Sequence, residues 1–173
     1  TSKNSTLKSV IYAVMGKDVT DNLLEIELSE NNVKISGYVG KPKYSRGNRN
    51  FQLFYVNGRI VKNKTITAAI DRAYHNLLMS GRHAVCIIKL DVPANTVDAN
   101  VHPTKTEVKF TDDQKIFDAV YYAVKHALDK EMGIKAAEAK PVLESKENVF
   151  EKAVKDYNNG INASTIISDS FEM

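Results

Sequence analysis

Apolar positions change period several times along the chain, and each change marks a predicted element. After Ser5, a predicted N-cap, Leu7, Val10, Ile11, Val14 and Met15 recur at helical spacing until Gly16, so residues 6 to 15 are expected as a half-buried helix. Residues 1 to 4 read as a frayed linker remnant, and residues 18 to 22 as a further turn. Leu24, Ile26 and Leu28 then alternate with Glu25, Glu27 and Ser29, the period-two signature of a one-sided strand. Glu30, Asn31 and Asn32 supply turn residues, and Val33, Ile35, Gly37 and Val39 resume the alternation, which predicts a hairpin with one wet face. Residues 51 to 56 are aromatic and β-branched enough for an interior strand. Asn57 and Gly58 favour the positive φ of a two-residue turn, and Arg59, Ile60 and Val61 begin the return. Ile66, Ala69, Ile70, Ala73, Tyr74, Leu77 and Leu78 predict a helix over residues 65 to 79, closed by Ser80 and Gly81. The unbroken apolar run of residues 85 to 90 has the length of a central strand covered on both faces.

Residues 97 to 110, VDANVHPTKTEVKF, are the most unusual stretch. If Val97, Ala99 and Val101 face one way, Asp98, Asn100 and His102 face the other. Pro103 cannot donate to a ladder and disfavours helix at His102, so extended structure is expected to break there. Thr104, Lys105 and Thr106 follow as an exposed loop, and Val108 and Phe110 restore the alternation with Glu107 and Lys109 outward. That arrangement places Lys105 at the tip of an arm between two anchored segments. Thr111 and Gln114 then form a predicted capping box. Ile116, Phe117, Val120, Tyr121, Val124, Ala127, Leu128 and Met132 mark a second core helix that Gly133 can end. Strands in two groups with two long helices predict an α+β fold, a two-layer sandwich of a mixed sheet with helices on one face. Residues 1 to 136 form the expected domain. Residues 137 to 173 read as the start of an interdomain linker, with one weak helix around Val149, Phe150 and Val154.

Composition narrows the picture. The 173 residues suit one domain plus a tail, and neither a long apolar run nor a basic-then-apolar leader is present, so a soluble cytoplasmic protein is expected. The single cysteine, Cys86, lies inside an apolar run and reads as a buried structural thiol. A net charge of +3 argues little, but its distribution argues more. Residues 31 to 70 hold no acid, yet carry Lys34, Lys41, Lys43, Arg46, Arg49, Arg59, Lys62 and Lys64. Of these, Lys41, Lys43, Arg46 and Arg49, interleaved with Tyr44 and Phe51, are candidates for neutralising nucleic-acid phosphates without reading bases. Arg59 is a further candidate, with the turn itself or an interdomain contact as its alternatives.

Candidate catalysis is harder to find. Asp98 and His102 lie four residues apart, and at about 3.3 Å per residue they are too distant for a direct hydrogen bond on one strand. Four histidines and one cysteine show no zinc-ligand spacing. GYVGK at residues 37 to 41 lacks the spacing and hydroxyl of a phosphate loop, so the chain alone is not expected to bind ATP. Lys105 is different, because a lysine ammonium on a held arm is suited to a phosphate oxygen.

FYVNGR at residues 54 to 59, followed by the VDANVHPTKTEVKF stretch, resembles the MutL family of mismatch-repair proteins. The resemblance runs from about Leu7 to Leu128 and lies in the second, transducer domain of the family's N-terminal ATPase half. It implies the fold of the second domain of a small-subunit ribosomal protein, with a left-handed βαβ crossover. It implies that Lys105 contacts the γ-phosphate of ATP bound in a preceding ATPase domain of the GHKL class, which includes the DNA gyrase B subunit. Asn100, His102, Pro103, Asn57 and Gly58 would then be supporting motif residues. The implied partners are that ATPase domain, a second protomer on ATP binding, DNA held nonspecifically, and a MutS-type mismatch-recognition protein. ATP and Mg2+ would be bound mainly by the preceding domain, leaving this chain without a cofactor or an activity of its own. A stand-alone nucleic-acid-binding module of the same fold is the alternative, and a hydrolase built on Asp98 and His102 ranks behind both.

Overall fold

The computed structural model describes residues 2–98, 106–133, 153–155 and 157–158. Its first long-range feature is a hairpin, β1 (Leu23–Glu30) and β2 (Val33–Gly40), paired over eight residues with Glu30 opposite Val33. Asn31 and Asn32 sit between them at φ 50 and 64, the left-handed conformation that asparagine tolerates and that matches strand twist. β4 (Gln52–Val56) and β5 (Arg59–Val61) form a second hairpin through Asn57 and Gly58 at φ 49 and 83. β7 (Cys86–Asp91) lies between the hairpins, antiparallel to β2 and parallel to β4, giving a mixed sheet of order β1-β2-β7-β4-β5. Two short strands, β3 (Ser45–Arg46) and β6 (His83–Ala84), pair beside it.

α3 (Lys64–Ala73) and α4 (Asp113–Glu131) pack together on one face of the sheet, as the periodicity predicts. Ile26, Ile35, Val39, Phe54, Ile88 and Leu90 meet Ile66, Ile70, Phe117, Val120 and Val124 there in one core. Ile87 and Tyr38 alternate to the opposite face. Ile11 of α1 (Ser2–Met15) covers them with Leu7 and Met15 at its margin, ahead of the short α2 (Lys17–Asp21). The run of residues 85 to 90 is therefore central and covered on both faces. The α1 stripe is narrower than its sequence suggests, since Val10 and Val14 are exposed at 53% and 75%. The sheet presents too little apolar surface on that side to take more than one row of α1.

Three helix ends differ from their prediction. α1 begins at Ser2, so Ser5 lies inside the helix and is not its N-cap, and residues 2 to 4 belong to the helix and not to a linker remnant. α3 stops at Ala73 instead of running to residue 79, because Tyr74 caps it and Asn76 turns left-handed at φ 66; Leu77 and Leu78 reach the core from a turn. The Tyr74 hydroxyl donates to the buried Gly40 carbonyl, which fixes where the helix ends against the sheet. α4 is capped by Asp112, whose carboxylate accepts from the Lys115 N–H at 3.0 Å, and not by Thr111. The Thr111 N–H instead donates to the Thr96 carbonyl at 2.9 Å. In the expected linker, the described residues are helical, and Ala153 is buried in the main core.

Gly37 is where β2 and β7 approach most closely. Its φ of +135 is reserved for glycine, and an added Cβ would lie 2.0 Å from the Ile87 carbonyl oxygen. Gly37→Ala therefore combines backbone strain with overpacking, and a loss of about 3 kcal/mol is expected in chemical denaturation of the chain. A denaturation midpoint equal to the parent's would show that the strands part there without penalty.

Candidate functional site

The arm predicted from residues 97 to 110 has a well-built base. Val97 and Asp98 form β8 (Val97–Asp98), which pairs antiparallel with β9 (Lys109–Phe110), Val97 opposite Phe110 and Asp98 opposite Lys109. Phe110 is 4% exposed and Val108 packs against the same core, while Glu107 and Lys109 face outward as the alternation requires. Burying one such phenylalanine is worth about 2–3 kcal/mol, enough to hold a short two-stranded base. Lys105, Asn100, His102 and Pro103 lie outside the described residues.

The base and the segment leading into it are bonded to the β4–β5 hairpin and its exit at several points. The Asn57 side-chain oxygen accepts from the Val92 N–H at 2.9 Å, and the Asn57 N–H donates to the Leu90 carbonyl at 2.9 Å. The VNGR turn thus holds the segment that enters the arm. On the returning limb, the Lys62 N–H donates to the Thr106 carbonyl at 2.7 Å, and Lys62 and Glu107 form a parallel bridge. Asn63 adds a bond from its side-chain amide to the Val108 carbonyl at 3.0 Å.

A groove of about 830 Å³ opens beside this base. Leu53, Phe54 and Val61 contribute apolar lining, and Lys62, Lys64 and Lys109 line it together with the acidic Glu107 and Asp113. Tyr157, from the C-terminal segment, also lines it.

The basic candidates separate into two groups. Lys41 Nζ lies 2.8 Å from Glu131 of α4, and Arg49 makes a two-pronged pair with Asp71 of α3 at 3.0 and 2.8 Å. Arg49 also donates to Gln52 at 3.2 Å, and its guanidinium lies 5.6 Å from the Tyr157 ring centre. Arg46 is half-buried against the Tyr44 and Phe51 rings, at 4.7 and 5.2 Å. Lys43 and Arg59 are exposed, with no carboxylate at ion-pair distance among the described residues. The stretch is free of acids in sequence, but α3 and α4 deliver carboxylates to it in space.

Buried titratable groups near the network are not reactive. Burial pushes the Cys86 thiol well above its ordinary range, with Asp71 adding to the rise and Arg49 opposing it, so the thiol stays protonated. Burial likewise raises the Tyr74 phenol.

Residues 11–129 match the family described as DNA mismatch repair protein, C-terminal domain. The chain is 36% identical to the DNA mismatch repair protein MutL of Thermoanaerobacter pseudethanolicus, over 87% of this chain and 24% of that protein. It is also 36% identical to the MutL of Clostridium acetobutylicum, over 99% of this chain and 28% of that one. The chain belongs to the MutL family. It spans about a quarter of the length of these curated MutL relatives. A crystal structure titled as the N-terminal domain of a DNA repair protein shares its fold, with a TM-score of 0.59 at 19% identity over 70% of this chain and 40% of that one. Among the described residues of this MutL-family chain, no helix is long and apolar enough to cross a membrane.

Sequence reasoning did not single out Asn63, Asp71, Glu131 or Tyr157. Asn63 had a readable signal, an N-cap residue just before a helical run; the other three act through tertiary contacts that leave no local trace.

His83 of β6 stands opposite Arg46, and its pKa is lowered from its ordinary value near 6.5, first by burial and then by Arg49, with Asp71 opposing. The associated stability is complete above about pH 6.5 and is lost as pH falls toward the lowered native value, because the unfolded chain takes up the proton first. His83→Gln should flatten that part of the curve when denaturation midpoints are measured against pH. An identical acid-side slope in parent and variant would refute the assignment.

Proposed function

We propose that this chain is the transducer domain of a MutL-type protein, the second domain of its ATPase half, and that Lys105 carries the signal of bound ATP into it. The observation that supports this most is the double attachment of the arm base to the VNGR hairpin. Val92 is held by Asn57 on the way out, and Thr106 and Val108 are held by residues 62 and 63 on the way back. A lysine one residue from Thr106 inherits a fixed origin, so contact with the γ-phosphate of ATP in a preceding GHKL domain would load the sheet directly. ATP and Mg2+ belong to that neighbouring domain in this reading, and the amine supplies positive charge where the phosphate charge develops. Rotation of the two domains and N-terminal dimerisation with a second protomer would follow from that load. Residues 1 to 136 form the body of the transducer, Ala153 and Tyr157 pack back onto it, and residues 137 to 173 otherwise begin the connection to the rest of the protein.

Nonspecific DNA binding and cooperation with a MutS-type protein complete the proposal. Lys43 and Arg59 are the candidates best placed to reach phosphates, since Lys41, Arg46 and Arg49 are engaged within the domain. That engagement weighs against a stand-alone nucleic-acid-binding module, which would present its cations unpaired.

In the full-length protein, Lys105→Ala is expected to lower ATP turnover about a hundredfold and to abolish ATP-dependent dimerisation, read by phosphate release and by light scattering. Unchanged turnover and dimerisation would end the claim. Replacing Lys43 and Arg59 together with alanine should reduce the log–log salt slope of DNA binding by about 2, one lost phosphate contact per residue. A slope equal to the parent's would remove these two residues from the interface.

A further inference from the structure

Asn63 sits at the joint between β5 and α3 and uses both ends of its side chain. Its oxygen accepts from the Ile66 N–H at 2.9 Å and caps α3. Its amide nitrogen donates to the Val108 carbonyl at 3.0 Å, on the returning limb of the arm. An N-cap requires only an acceptor, and serine, threonine or aspartate would serve as well. The amide carries its donor and its acceptor on separate atoms, so it can cap the helix and span to a second partner at the same time; aspartate has no donor, and a serine hydroxyl has both functions on one shorter-reaching oxygen. The neighbouring Lys62 N–H already holds the Thr106 carbonyl at 2.7 Å. Thr106 and Val108 are two residues apart on an extended limb, so their carbonyls lie along one edge. A limb held at one point can pivot, whereas a limb held at two points on one edge has its direction fixed.

We propose that Asn63 is a positioning residue that sets the direction of the Lys105 arm through the Val108 carbonyl. The inference rests on the reading of Lys105 above. The cap and the tie are separable by chemistry. Asn63→Asp and Asn63→Ser both keep an oxygen for the Ile66 N–H; the aspartate has no donor for Val108, and the serine hydroxyl held at the helix end is too short to span to it. Asn63→Ala removes both functions and serves as the structural control.

The test uses the full-length protein, with ATP turnover and thermal unfolding measured for each variant. Asn63→Asp and Asn63→Ser should unfold close to the parent and bind ATP with a KM within about twofold, while kcat falls roughly tenfold through misplacement of the amine. Neither should lower turnover further in a Lys105→Ala background, since the tie has no role without the lysine it aims. Parent-like kcat in both variants would overturn the proposal, as would a loss confined to Asn63→Asp, which would trace to its added charge. A loss for Lys105→Ala beside silent Asn63 variants removes only the role of Asn63. An ineffective Lys105→Ala removes the reading of Lys105, and this one with it.

Discussion

The constraint on which this domain depends is the bonding of one loop base to one hairpin. Asn57, Lys62 and Asn63 are local residues of the β4–β5 turn and its exit, and their polar groups satisfy backbone partners at residues 92, 106 and 108. Apart from the single Lys62–Glu107 bridge, none of those partners is reached through sheet pairing, so the arm base would otherwise rely on a two-residue ladder, β8 with β9. A ladder that short is marginal in water by itself. Its persistence follows from the buried Phe110 below it and the hairpin beside it.

The rest of the fold serves to keep that hairpin still. β4 is parallel to β7, and β7 is the strand from which the chain runs into the arm, so hairpin and arm origin share one rigid strand pair. α3 begins at Asn63 and ends at Tyr74, whose hydroxyl reaches the Gly40 carbonyl on the far side of β7. The bonds of Asn63 and Tyr74 thus link the arm base, α3 and β2 in one continuous set of contacts.

Much of this was legible in the chain itself. Alternation at residues 24 to 28 and 33 to 39 announces a hairpin, and the Asn57-Gly58 dipeptide marks the turn of the second hairpin without tertiary help. The apolar run ending at Leu90 announces a central strand because a strand of that length is apolar throughout when it is covered on both faces. Less was legible where distant residues decide the outcome. Residues 77 and 78 have helical spacing, but Asn76 turns left-handed and delivers them to the core from a turn. Lys41 and Arg49 look uncompensated in sequence, yet Glu131 and Asp71 come from helices whose approach no local window contains. The candidate site was legible as a pair of motifs, whereas the bonds from Asn57 to residues 90 and 92, and from residues 62 and 63 to the returning limb, were not.

The fate of the lone sulfur has a practical corollary. Cys86 is fully enclosed beneath α3 and α4, and burial keeps it in the unreactive protonated form. Maleimide and other thiol reagents have no native target on the folded surface of this chain. A cysteine introduced on the arm would thus carry a fluorophore or spin label alone, without first stripping the parent of its own thiol.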